Sequence, residues 1–201
     1  MSNEWISTYT NQRVFPFDPD KSTIKIDDIA HSLAMICRWG GHSLTYYSVA
    51  EHSVRVADFL YVQAVDAGKS LEESRKIGFL GLMHDATEAY VGDIPRPIKG
   101  SMFLKTPRGM EGFRETEAHV YGIIEEALKL PPYSKEDEKL VHEADNIILV
   151  TEARDVQHGP IKWDYWLDRP EPLEGIIFPM TWEIAKSTFL ERYEMYGHMD
   201  E

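Results

Sequence analysis

Apolar residues recur along the chain at intervals of three and four rather than in alternation, and residues that favour helix N-termini stand where these stripes begin. In IDDIAHSLAMICRW, Ile29, Leu33 and Ile36 form one stripe below a cap near Asp27, while His31 and Arg38, seven residues apart, share another. YSVAEHSVRVADFL opens on Ser48 and Glu51 in capping-box spacing and aligns Val49, His52, Val56 and Phe59 on one face. KSLEESRKIGFLGLMHDATEAY repeats the device with Ser70 and Glu73 and predicts a helix to about Tyr90, ended by Gly92 and the prolines that follow. GMEGFRETEAHVYGIIEEALKL predicts a helix stopped by Pro131 and Pro132, and SKEDEKLVHEADNIILVTEARDV one that begins at Ser134 with Val141, Asp145 and Ile148 on a stripe. Residues 159–180, with four prolines and two tryptophans, read as an irregular packed crossing before a closing helix, TWEIAKSTFLERYEMY, capped by Thr181. Only residues 13–17 hint at a strand. The expected fold is all-α, a compact helical bundle.

A chain of 201 residues, 43% of them hydrophobic, can bury a substantial core. A single domain over 1–201 is expected, with its core at about 27–158 and the irregular segment and closing helix in 159–201. The first residues lack a basic start followed by an apolar run, and no uncharged apolar stretch of about 18 residues occurs, so a cytoplasmic protein away from membranes is expected. Cys37 stands alone, excludes an internal disulfide, and reads as a small buried apolar residue. The net charge of -13 argues against a duplex nucleic-acid partner. A phosphate-bearing ligand would need a local basic pocket, for which DIPRPIKGSMFLKTPRG offers Arg96, Lys99, Lys105 and Arg108; the same residues equally fit a solvated loop.

Helical spacing puts Gly81, His84, Asp85 and Glu88 on one face, at i, i+3, i+4 and i+7. His52 and Asp145 sit on otherwise apolar stripes of two further helices, where an unpaired charge would cost several kcal/mol. Coordination of a metal by His52, His84, Asp85 and Asp145, drawn from three helices, would compensate all four. Singly, each residue also fits a plainer role: a histidine bonded to a backbone carbonyl, or Asp145 paired with Arg154 or a lysine.

The order His52, the doublet His84-Asp85, then Asp145 in a later helix resembles the HD superfamily of metal-dependent phosphohydrolases. HDATEAYVGDIPRPIK is similar to the corresponding segment of the bacterial HD-domain 5'-deoxynucleotidases. DDIAHSLAMICRWGGH, YYSVAEHSVRVA and EADNIILVTEARD are similar to a phage-associated branch that includes deoxyadenosine triphosphate triphosphohydrolases. The likeness spans roughly residues 9–158, about three quarters of the chain.

This resemblance implies a divalent ion (Mn2+, Co2+, Zn2+ or Mg2+) on His52, His84, Asp85 and Asp145, with Glu88 as general acid or base or as a carboxylate fixing a metal-bound histidine. Arg38 would contact substrate phosphate, and Trp39 would close the sugar side and reject a 2'-hydroxyl. Asp93 joins Glu88 among the catalytic candidates, orienting Arg38 or the sugar, while a helix-terminal loop contact fits it equally, and Arg96 and Lys99 would be further phosphate ligands. His31 and His42 read as structural. The expected partner is a small-molecule deoxynucleotide, and a homo-oligomer is expected. The basic cluster and the segment around Arg38 favour a dNTP triphosphohydrolase of the dATP type. A 5'-nucleotidase acting on deoxyribonucleoside monophosphates is the alternative, and a non-catalytic nucleotide-sensing module is favoured least.

Overall fold

The computed structural model describes residues 4–158 and 170–197. A short antiparallel hairpin, β1 (Ile6–Ser7) and β2 (Arg13–Val14), leads into α1 (Ile26–Met35), α2 (Val49–Asp66), α3 (Leu71–Met83) and the brief α4 (Glu88–Val91) and α5 (Arg96–Lys99). A second hairpin, β3 (Phe103–Thr106) with β4 (Gly109–Gly112), precedes α6 (Phe113–Leu128), α7 (Lys135–Asp155) and α8 (Trp182–Gly197). The fold is mostly helical, as the periodicity predicts. Capping chemistry sets several helix starts: Ser48 Oγ accepts from the Glu51 amide at α2, and reciprocal capping boxes open α3 (Ser70, Glu73) and α7 (Ser134, Asp137).

Three expected helices are corrected. α1 begins after Lys25 rather than at an Asp27 cap and stops at Met35. Beyond it the chain extends to pair with the residues before α2: Cys37 bridges Ser48, the Arg38 amide donates to Tyr47 O at 2.8 Å, and the Val49 amide donates to Ile36 O at 3.1 Å. This pairing displaces the last predicted turn, so Arg38 does not share a helical stripe with His31.

The helix expected to reach Tyr90 ends at Met83 and resumes at Glu88. His84 Nδ1 donates to Gly81 O at 2.7 Å, competing for the carbonyl that an unbroken helix would offer the Asp85 amide, and the following amides take tighter i−3 bonds (Ala86 to Met83 O, Glu88 to Asp85 O). Residues 109–112, read as the start of a helix, are instead β4, paired with β3 so that Thr106 faces Gly109 across a two-residue turn.

The core lies among α1, α2, α3, α6 and α8, where Ile29, Leu33, Val49, Leu82, Val120, Ile124 and Phe189 are buried together. A second cluster of Val56, Leu60, Ile77, Leu80, Val141 and Ile148 joins α2 and α3 to α7. α2 and α3 approach closely because Gly81 carries no side chain: a Cβ there would meet Leu60 Cδ1 at 2.6 Å and Ala57 Cα at 3.2 Å. α8 packs across α1, α2 and α3. The expected irregular crossing falls partly on residues 159–169, outside those described; its later part is tied by the Leu173 amide to Thr151 Oγ1 (3.0 Å), Ile177 to Asp155 Oδ2 (2.8 Å) and Met180 to Glu51 Oε2 (2.8 Å). Cys37 is half-buried, with Sγ 3.5 Å from Ser43 Oγ. Among the described residues, no helix is long and apolar enough to cross a membrane.

Candidate active site

His52, in the first turns of α2, is fully buried, and His84 follows the last residue of α3, so the close α2–α3 approach brings their Nε2 atoms to 3.3 Å. Asp85 Oδ2 lies 3.2 Å from His84 Nε2 and 3.6 Å from His52 Nε2. One ligand atom from each of His52, His84 and Asp85 falls within 4.8 Å of the others. Asp145, midway along α7, reaches in from the third helix with Oδ1 3.3 Å from His52 Nε2. All four expected ligands are therefore brought to one place, and Asp145 pairs with Arg96 (3.2 Å), not with Arg154, whose carboxylate is Asp155.

Tautomers follow from the outer nitrogens. His84 Nδ1 faces a carbonyl and must donate. His52 Nδ1 lies 2.6 Å from Glu152 Oε1; burial opposes the charge on Glu152, but Arg38 and His52 outweigh it and hold the acid below its ordinary range, so this nitrogen donates as well. In neutral rings both Nε2 atoms then carry lone pairs turned toward each other at 3.3 Å, beside two carboxylates. A cation relieves that arrangement. A proton can do so: burial and Arg38 lower the His52 imidazole while Glu152 and Asp145 raise it for a net increase, and His84 is lifted to about 9 because Asp85 and Asp145 outweigh burial. Burial works against charge on Asp85 and Asp145 too, yet the facing histidines hold both well below the usual carboxylate range. Two imidazole nitrogens and two carboxylates also form a donor set suited to a divalent transition ion, so the residues fit a metal.

Arg38 is buried beside this cluster, with Nε 3.3 Å from Glu152 Oε2 and Nη1 3.5 Å from Asp85 Oδ2. Glu88, at the start of α4, is buried; desolvation and then Asp85 and Asp93 push its carboxyl well above the usual range, against Lys99 and Arg38. Its Oε1 accepts from Lys99 Nζ at 3.0 Å, and its Oε2 is buried without a hydrogen-bond partner among the described residues. Asp93, after α4, is half-buried, and burial raises its pKa despite Arg38. Trp39 has a left-handed backbone (φ 61°) and packs against Tyr47, Val156 and Ile177. His31 stacks on Tyr9, ring centres 3.9 Å apart, and neither it nor His42 joins the cluster.

The expected basic pocket is divided up. Lys99 is held by Glu88 and Glu117, and Arg108 by Glu111 and Phe17 O; of the four cations only Arg96 bonds a cluster residue.

Sequence reasoning missed Glu152. Fully buried near the end of α7, it accepts from Tyr47 Oη (2.9 Å) and Arg38 as well as His52, and so fixes two candidate site residues at once. Its signal was present, since Glu152 lies seven residues after Asp145 and continues the stripe of Val141, Asp145 and Ile148.

The family described as 5'-deoxynucleotidase YfbR-like matches residues 28–155. YfdR of Escherichia coli (strain K12), described as uncharacterized, is 32% identical over 196 residues, 94% of this chain and 93% of its own length. The 5'-deoxynucleotidase PM0747 of Pasteurella multocida (strain Pm70) is 27% identical over 138 residues, 61% of this chain and 69% of its own. The solved crystal structure of genomics APC5600 is similar in fold, with a TM-score of 0.50 at 20% identity over 87% of this chain and 95% of that one.

Proposed function

The chain belongs to the family of YfbR-like 5'-deoxynucleotidases, metal-dependent HD-domain phosphohydrolases, and from that premise we propose that it releases phosphate from deoxyribonucleoside 5'-monophosphates. The observation that carries the reading is the cluster of His52, His84, Asp85 and Asp145 with Arg38 at its edge: a cation site beside a buried guanidinium, suited to one phosphate group. Two of the four cations of the basic segment, Lys99 and Arg108, are already engaged by Glu88, Glu117 and Glu111, which favours a monophosphate over a triphosphate with its added charges.

His52, His84, Asp85 and Asp145 would hold the divalent ion, Mn2+, Co2+, Zn2+ or Mg2+, which when bound supplies a Lewis acid for a phosphoryl oxygen and acidifies water. Arg38, fixed by Glu152 and Asp85, directs its remaining N–H groups to the phosphate oxygens. Water adds to phosphorus as the bond to the 5'-oxygen breaks; Glu88, whose raised pKa favours carrying a proton, delivers it from Oε2 to the departing oxygen and is reprotonated by the proton that the added water gives up. The products are a deoxynucleoside and inorganic phosphate. Asp93 orients Arg38 or the sugar. Arg96 steadies Asp145 and faces incoming phosphate, and Trp39, immobilised on Tyr47 and Val156, walls off the sugar edge where ribose carries its extra hydroxyl.

The test is phosphate and nucleoside release from every dNMP, dNTP and ribose counterpart with each of the four ions. Turnover of dNMPs is expected, abolished by chelation, with kcat/KM about tenfold to a hundredfold above the ribonucleotides. Turnover of dNTPs alone would replace the monophosphate reading by the triphosphohydrolase one, and no turnover of any nucleotide would overturn both.

A further inference from the structure

Lys99 closes α5 with its Nζ between two carboxylates, 3.0 Å from Glu88 Oε1 and 2.8 Å from Glu117 Oε1. The same ammonium lies 5.7 Å from the centre of the Phe113 ring. Phe113 and Glu117 are four residues apart on α6, so one face of that helix builds a socket for the lysine. The side chains of Lys99, Glu88 and Glu117 are only 17%, 5% and 19% exposed. A lysine that swung away to grip phosphate would strip Glu88 and Glu117 of their shared partner in a mostly buried site, which opposes the move. Its effect on Glu88 is specific: Oε1 is occupied, and the buried Oε2 is left as the one oxygen free to handle a proton.

We propose that Lys99, locked by Glu117, is a positioning residue that holds Glu88 by Oε1 so that Oε2 meets the reacting group, and that it is not a phosphate ligand. The inference rests on the reading of Glu88 as the proton-handling group of a nucleotidase.

The test compares wild type with Lys99→Met, Lys99→Arg, Glu117→Gln, Glu88→Gln and the double variant Lys99→Met/Glu88→Gln. Steady-state kinetics on the preferred dNMP are read beside calorimetric titration of inorganic phosphate into the Mn2+-loaded proteins. Lys99→Met is expected to lower kcat by about a hundredfold, the scale of misplaced acid-base catalysis, with KM and phosphate affinity within about threefold. Lys99→Arg should recover most of the loss. Glu117→Gln should lose about tenfold in kcat, showing the lock from its far side in a variant that keeps the buried lysine paired with Glu88. The double variant should be no slower than Glu88→Gln alone, because the lysine acts only through Glu88. A raised KM and weakened phosphate binding with kcat preserved would make Lys99 a phosphate ligand and overturn the proposal, as would losses that add in the double variant. A wild type that hydrolyses no nucleotide fails the functional reading first, and the inference falls with it; an active wild type with additive losses fails the inference alone.

Discussion

His84 links pH to metal binding at the scale of one side chain. Burial disfavours its charged form, but Asp85 and Asp145 prevail and raise it from 6.5 to about 9. A group raised on folding contributes stability that is fully present below its unfolded value and is lost as pH climbs through the folded one. In the metal-free protein that loss runs from about pH 6.5 to 9. A metal ion competes with the proton for the same nitrogen, so its binding tightens over the same window. The melting temperature of the metal-free protein should therefore fall from pH 6.5 to 8.5, while the gain on adding saturating Co2+ grows. A gain that is flat with pH would separate His84 from the ion. At this scale the histidines and aspartates were legible because they interrupt apolar stripes. Glu152 lies on the same stripe as Asp145, but its role was not legible, because what it holds is set only when Tyr47, Arg38 and His52, at least 100 residues earlier, converge on it.

Between elements, Gly81 sets both the α2–α3 spacing and the anchor of His84. An alanine Cβ would press on Leu60 Cδ1 at 2.6 Å, which can turn aside, and on Ala57 Cα at 3.2 Å, which cannot. Gly81→Ala should destabilise by about 1–2 kcal/mol, overpacking being partly offset by the better helix propensity of alanine. It should also weaken metal binding, since moving α3 outward separates His84 from His52; denaturant melts and metal titration measure the two effects. Unchanged metal affinity would show that the helix spacing does not control the site. The breaks flanking α3 and α1 escaped the periodicity for a shared reason: a side chain or an extended neighbour claimed the backbone groups that another helical turn would have used, namely Gly81 O for His84 and the Arg38 amide for Tyr47. The β3–β4 hairpin escaped because four-residue strands carry too little alternation to register.

Across the whole molecule, a net charge of -13 repels nucleotides at long range, so binding depends on the cations gathered at one point. The cluster is carried by α2, the end of α3 and α7, while α8 packs across α1, α2 and α3, with Phe189 fully buried among residues of the main hydrophobic cluster. Phe189→Ala should cost about 3–5 kcal/mol and lower the melting temperature by about 2–4 °C for each kcal/mol. Metal affinity measured well below the transition should stay at the wild-type level, because α8 contributes none of the candidate ligands. Loss of metal at an unchanged melting temperature would contradict this division between stability and site.

The sequence by itself determined the helical class, most helix starts and the four side chains that converge, because capping residues and apolar periodicity act locally and a polar residue on an apolar stripe announces itself. Tertiary structure alone decided which carboxylates pair with Arg96, Lys99 and Arg108. Lys99 is a candidate phosphate ligand in the sequence and Arg108 a member of a candidate basic pocket, and the structure pairs them with Glu117 on α6 and Glu111 on β4. It also decided where Arg38 lies, through pairing with the strand-like residues before α2. Both outcomes depend on contacts between segments distant in the chain, where the favourable partner is set by the packing of whole helices and not by spacing along any one of them.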